Sequence, residues 1–322
     1  MEMSQERSAD YVSNKNLKFI GKRLGSWITA GLILGYLFWR IDIGSFAESL
    51  KLAGMAVYLP LVVGFIFLWL LIESHNIMML CHHLGHRITF KQVLEIRGVT
   101  YLLMLINPFL GLGGIAYYLS KDIDIPLVRT SSLMIFYSYT EMISLTCLVT
   151  IGSIFLTYRS LFFTQMYYLS ISAIIFYICM GIIGRKLPAT GHFKKITDAP
   201  IWKTFYDARV SSFFILPLWR SVYFISFILF FYFGLKAFSI TIPLARLFVY
   251  VPLIFWVSCW PITPSGLGTI QASMLFLFKE YSSEANILAF SITYSTSLLI
   301  LRIPIGLYYL KKRHHSYCRR KG

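Results

Sequence analysis

"PITPSGLG", residues 261–268, lies between two strongly apolar stretches. Two prolines and two glycines in eight residues break any helix, and a bilayer penalises a broken helix that lipid can reach. The segment therefore belongs where protein or a water-filled cavity satisfies its backbone.

The surrounding chain is suited to lipid. Of its 322 residues, 57% are hydrophobic and only 14% are charged, and the mean hydropathy is +0.66. Soluble domains carry about 25% charged residues. Apolar runs approach or exceed the roughly 18–20 residues that span a bilayer. They are 28–39 with its flanks, 55–72, 128–157, 161–183, 216–235, 244–260 and 287–310. These define a polytopic membrane protein. The N-terminus has a long polar lead and no small-residue cleavage site, so the first run is expected to be a retained anchor.

The net charge of +16 gathers beside the spans. Lys15, Lys18, Lys22 and Arg23 precede the first run, and Lys311, Lys312, Arg313, Arg319, Arg320 and Lys321 follow the last. Arg185, Lys186, Lys194, Lys195, Lys203 and Arg209 fill the one long polar loop, 185–215. Juxtamembrane clusters of this kind mark cytoplasmic segments and favour anionic headgroups; they are not a nucleic-acid surface. Both termini, the His82–Arg87 connection and the 185–215 loop are then expected inside, in the cytoplasmic membrane. Ordinary crossings throughout would leave 185–215 outside. The count closes if residues 93–120 dip into the membrane and return to the side they entered.

That stretch contains "INPFLGLGG", residues 106–114, a second helix breaker. Aligned with the first, both read I-x-P, then one or two residues, then G-L-G, about 155 residues apart. Each is followed by an apolar stretch, a short polar turn (121–124, 279–286) and a full span. By the same count, 244–281 enters and leaves from the exterior. Opposed broken helices in matching positions are the mark of inverted-repeat transport folds. The expected fold is all-α, with about six full spans and two opposed re-entrant helical hairpins in an inverted repeat. A basic tail (1–23) precedes a membrane domain (24–310, halves about 55–157 and 216–310), and a second basic tail (311–322) closes the chain. Glycines at the tips let backbone N–H groups approach a ligand, and a half-helix start favours an anion such as phosphate.

"TPSGLGTIQASMLFLF" resembles the P-G-G-L-G-x-x-E signature of the lysylphosphatidylglycerol synthase transmembrane family, which includes the flippase-like membrane domain of the multiple peptide resistance factor. The chain is similar to the stand-alone members that lack a synthase domain. "INPFLGLGG" resembles the family's earlier N-x-x-P-G-type segment, and Arg302 its closing arginine. The likeness covers roughly residues 20–312. Ser265 stands where the family usually has glycine and Gln271 where it usually has glutamate. Ile115, Ala116 and Tyr117 occupy a stretch that often carries a basic residue.

The resemblance implies handling of a membrane phospholipid or polyprenyl-linked lipid. The expected substrate-binding set is Asn107, Pro108, Gly111, Gly113, Gly114, Glu141, Pro264, Ser265, Gly266, Gly268, Gln271 and Arg302. Glu141, near the middle of its span, is expected to line a cavity or to make a structural hydrogen bond. Arg302 is expected to meet a headgroup phosphate or to snorkel. Arg97 and Arg246 read as interfacial anchors, and Glu73, His75 and Asn76 as polar closure near a span end.

"CHHLGH", 81–86, offers N and S ligands, but no second cluster completes a metal site. The five cysteines have no disulfide spacing, and no hydrolase or metalloprotease motif is present. No metal, cofactor or catalytic residue is expected. Three functions fit: a lipid or headgroup translocase, an accessory subunit presenting a lipid carrier to a separate lipid-modifying aminoacyl- or glycosyltransferase, and a secondary transporter of a small polar solute. A homo-oligomer is compatible with each.

Overall fold

In a computed structural model, residues 35, 43–154, 161–186, 202–259 and 268–321 are described. Apart from residue 35, the expected first span, 28–39, lies outside that set, as do seven of the eight residues of "PITPSGLG". The described residues form α1 (Ile43–Leu52), α2 (Met55–His83), α3 (Phe90–Ile106), α4 (Pro108–Asp122), α5 (Leu127–Ile154) and α6 (Leu161–Lys186). After these come α7 (Lys203–Asp207), α8 (Ser212–Ala237), α9 (Leu244–Ser258), α10 (Thr269–Phe278) and α11 (Glu284–Lys321). No strand occurs among them.

Among the described residues, five helices are long and apolar enough to cross a membrane: α2, α5, α6, α8 and α11. They coincide with five of the six expected spans. The α2 helix departs from expectation by continuing past Ile72 to His83. Glu73, Ser74 and Asn76 are buried within it, because Glu73 finds a charged partner inside the bundle. The turn that follows is closed by its histidines. His82 Nε2 donates to the Ile88 carbonyl at 2.8 Å, and His83 Nδ1 to the Met79 carbonyl at 2.9 Å. The described part of the 185–215 loop, from residue 202 on, makes apolar contacts with the bundle. Its Phe205 is fully buried in α7, edge-on to Phe136, and the Thr204 N–H donates to Ser132 Oγ.

Between the long spans lie two pairs of shorter helices. The α3/α4 pair breaks at Asn107, whose backbone is extended (φ −163°, ψ 133°). Pro108 occupies the first position of α4, where its missing N–H costs nothing, and Asn107 Oδ1 accepts from the Phe109 N–H at 2.7 Å. The two arms fold back on each other. A Cβ on Gly111 would lie 2.3 Å from Met104, and one on Gly114 2.4 Å from Leu103. The α9/α10 pair packs together likewise, and α10 begins at Gly268 with φ +86°, a left-handed conformation that glycine adopts without strain.

Packing between the halves is reciprocal. The α2 and α8 helices face each other through an aromatic core in which Trp69 stacks on Phe227 at 3.9 Å. The α11 span lies along α3, where Gly98 and Gly306 leave room for Tyr309 and Leu102. The α5 span lies along α9, where a Cβ on Gly152 would meet the Phe248 carbonyl oxygen at 2.9 Å. Each half thus presents its closing span to the first arm of the other half's broken pair. Gly152 and Gly306 are separated in sequence by nearly the same interval as the two G-L-G motifs.

Candidate functional site

Arginine and glutamate side chains are scarce in the middle of the spans, and those present come together. Glu73 on α2 and Arg97 on α3 are 5% and 4% exposed. Arg97 donates to Glu73 Oε2 through both Nε (2.8 Å) and one terminal nitrogen (2.6 Å). This is a buried charge pair, not the interfacial anchor expected of Arg97. An isolated guanidinium in the membrane interior is costly, so the partner is what permits its depth. Arg220 on α8 stands 3.8 Å from Glu73 Oε1 and 3.0 Å from Glu141 Oε1 on α5. It also donates to the Tyr137 hydroxyl, and the rings of Tyr223 and Tyr137 flank it at 4.3 and 4.6 Å. At the other end, Tyr101 lies between Arg97 (5.1 Å) and Arg302 of α11 (5.5 Å).

The result is a ladder through five helices, in the order Glu141, Arg220, Glu73, Arg97, Tyr101, Arg302. Three guanidiniums meet two carboxylates, which leaves one positive charge over. Among the described residues Arg302 has no carboxylate within ion-pair distance, and its Nε and that of Arg220 are buried without a hydrogen-bond partner.

The first broken pair touches this ladder directly, and the end of the second pair's first arm approaches it. Arg97 also donates to Met104 Sδ at 2.9 Å, and Met104 is the residue against which Gly111 packs. From the second pair, Cys259, the C-cap of α9, lies within electrostatic reach of Glu141 and Arg220.

The expected site residues divide into groups. Glu141 and Arg302 stand at opposite ends of one connected cluster. Asn107 and Pro108 make the break in the first pair. Gly111 and Gly114 are buried between its arms, so close packing accounts for them; Gly113 faces open space. Gly268 opens α10. Gln271, 1% exposed, accepts from the Gly268 N–H at 2.7 Å and donates through Nε2 to Ser295 Oγ on α11 at 3.0 Å. Because Ser295 Oγ donates in turn to the Ser291 carbonyl, it presents only lone pairs to residue 271. An amide can donate to them; a carboxylate cannot, which gives the glutamine here a physical reason. Pro264, Ser265 and Gly266 lie outside the described residues. Among the described residues no group of three His, Cys, Asp or Glu side chains could hold a metal ion.

Arg220 had no place in the expected site. Its signal was available as a lone charge in an otherwise apolar run, the same signal that drew attention to Glu141.

Fold and site together define a multi-pass, all-helical membrane protein with an ionic core that carries surplus positive charge. A family model for the lysylphosphatidylglycerol synthase transmembrane region matches residues 24–306, and the chain belongs to that family. No curated protein matches it.

Proposed function

We propose that the protein binds the phosphate-bearing headgroup of a membrane phospholipid or polyprenyl-linked lipid and carries it across the cytoplasmic membrane without altering it chemically. The observation that carries this reading is the surplus guanidinium in the ladder. A half-buried cation at membrane depth without a counter-ion is costly, and a phosphate ester supplies the missing charge with geometry that suits a guanidinium fork. The two broken pairs are its re-entrant hairpins, one entering from each side, and the reciprocal packing of the halves supports an inverted repeat about the charged centre. Both termini are cytoplasmic on this reading.

The test is reconstitution of the full chain into liposomes with fluorescent phosphatidylglycerol, read by how much dye an outside quencher reaches. Movement above protein-free liposomes is expected, and its loss in Arg302→Gln. Binding of the lipid without movement would support the accessory-subunit reading instead. Topology is tested separately by single cysteines at Lys121 and Ser283 in a cysteine-free background. Labelling from opposite sides is expected; labelling of both from one side would remove the opposed hairpins.

A further inference from the structure

Arg220 is surrounded yet incompletely satisfied. One terminal nitrogen is committed to Tyr137, the other approaches Glu141, and Nε is buried without a partner. Glu73 is the weaker partner, because Oε2 is already held twice by Arg97 and Oε1 stands off at 3.8 Å. Arg220 therefore depends on Glu141 for its counter-charge. Glu141 is also the more accessible acid, with a side chain 24% exposed against 5% for Glu73. Among the described residues it makes no other ion pair.

An anion arriving at this end of the ladder meets a guanidinium already occupied by a carboxylate that has room to leave. A phosphodiester carries the same charge, and in the place that Glu141 vacates it would meet the terminal nitrogen and, beside it, the buried Nε, a two-point hold that a single Glu141 oxygen does not provide. We infer that Glu141 is a resident counter-ion that keeps Arg220 occupied until a phosphate ester displaces it, and that it recaptures Arg220 when the ligand leaves. The inference rests on the headgroup reading above and adds Arg220 as the ligand-binding arginine at this end. It also explains how a carrier keeps its grip reversible. The competing carboxylate weakens binding and speeds release, whereas an unopposed buried arginine would hold the anion too long to pass it on.

The experiment uses the purified full chain in detergent. Thermal unfolding is followed against two probes, short-chain phosphatidylglycerol and inorganic phosphate. A shift with the lipid alone identifies a headgroup site; a shift with phosphate alone removes the lipid from the proposal. Glu141→Gln is expected to reach half-saturation at roughly tenfold lower probe concentration, the scale of one lost competing charge interaction. In liposomes the same variant is expected to move lipid more slowly at saturation, so that apparent affinity and turnover change in opposite senses. Glu141→Asp, whose shorter arm loosens its hold on Arg220, is expected to act in the same direction and less strongly, and it decides the matter if the glutamine variant fails to fold. Arg220→Gln is expected to lose the saturable shift. Half-saturation in both Glu141 variants equal to or above wild type overturns the exchange while leaving headgroup binding in place. A wild-type protein that shifts with neither probe overturns headgroup binding, and the exchange with it.

Discussion

The α3–α4 and α9–α10 pairs stand at corresponding places in their halves but are held there by different chemistry. The first is fixed from within by charge. Arg97 on its first arm is clamped to Glu73, and Gly111 and Gly114 bring the second arm into contact with the first. The second is fixed by neutral hydrogen bonds, with Gln271 joining the left-handed Gly268 to Ser295 on the closing span. About 155 residues on from Arg97 stands Pro252, and in the place of Glu141 stands Thr296. The second pair matches the first in its position and its close helix crossings but not in its charges, and so the ionic ladder is assembled from both halves.

The largest expected effect separates these two kinds of anchorage. Glu73→Ala leaves Arg97 without its partner in the bundle interior, and breaking a buried pair in this way costs about 3–5 kcal/mol. Ser295→Ala removes one neutral hydrogen bond from the second pair, at a cost of about 1 kcal/mol. Denaturant unfolding in detergent should therefore show a far lower midpoint for Glu73→Ala than for Ser295→Ala. Equal losses would mean that the two pairs are anchored alike.

A smaller effect distinguishes glycines that pack from glycines that face open space. In Gly114→Val the new side chain must enter the space held by Leu103 and Thr100, with Cβ contacts of 2.4 and 3.1 Å before any branch is added, and overpacking of this kind costs about 1–3 kcal/mol. Gly268→Val costs a similar amount for another reason, since φ +86° strains a branched residue by about 1–3 kcal/mol. Gly113→Val meets nothing within 4 Å. It should unfold like wild type and still lose lipid movement if that face lines the path. Wild-type movement in Gly113→Val would take the first tip out of the path.

Five of the expected spans and the break at Asn107 were legible because each is written in consecutive residues: hydropathy over about 20 positions, or Pro and Gly within eight. Asn107 and Pro108 announce their own break, since cap and first-turn proline act within three residues. The ladder was not legible as a unit. Glu73 and Arg97 are 24 residues apart, and Arg220 meets its carboxylates from another half of the chain; no local pattern encodes such partnerships. Glu73 therefore looked like the polar end of a span, and Arg97 like an interfacial anchor. Both readings followed from the cost of a lone charge in lipid, and both gave way because these charges are paired. Gly111 and Gly114 were grouped with Gly113 since sequence does not say which glycine meets its own hairpin and which meets space.

The smallest expected effect lies at the outer ends of the two pairs, where the anchorage differs again. The open end of the first pair is tied to α11 by Asp122–Arg313 and by Glu95–Lys312 at 3.2 Å. Asp122 and Arg313 are each 18% exposed, and Arg313 also lies over the Tyr118 ring at 4.5 Å. The second pair closes on itself, with Arg246 donating to the Tyr281 hydroxyl and standing 3.8 Å from Glu280, which is 70% exposed. Water and salt screen the second arrangement far more than the first. Asp122→Asn is thus expected to cost about 1 kcal/mol, near the top of the range for ion pairs at a protein surface. Glu280→Gln should fall within about 0.5 kcal/mol of wild type, as surface substitutions usually do. Unfolding midpoints at low and high salt provide the check. The gap between Asp122→Asn and wild type should narrow only partly as salt rises, while Glu280→Gln stays superimposed on wild type throughout. A reversed order would place the firmer outer clamp on the second pair, leaving the first held chiefly by its buried charge.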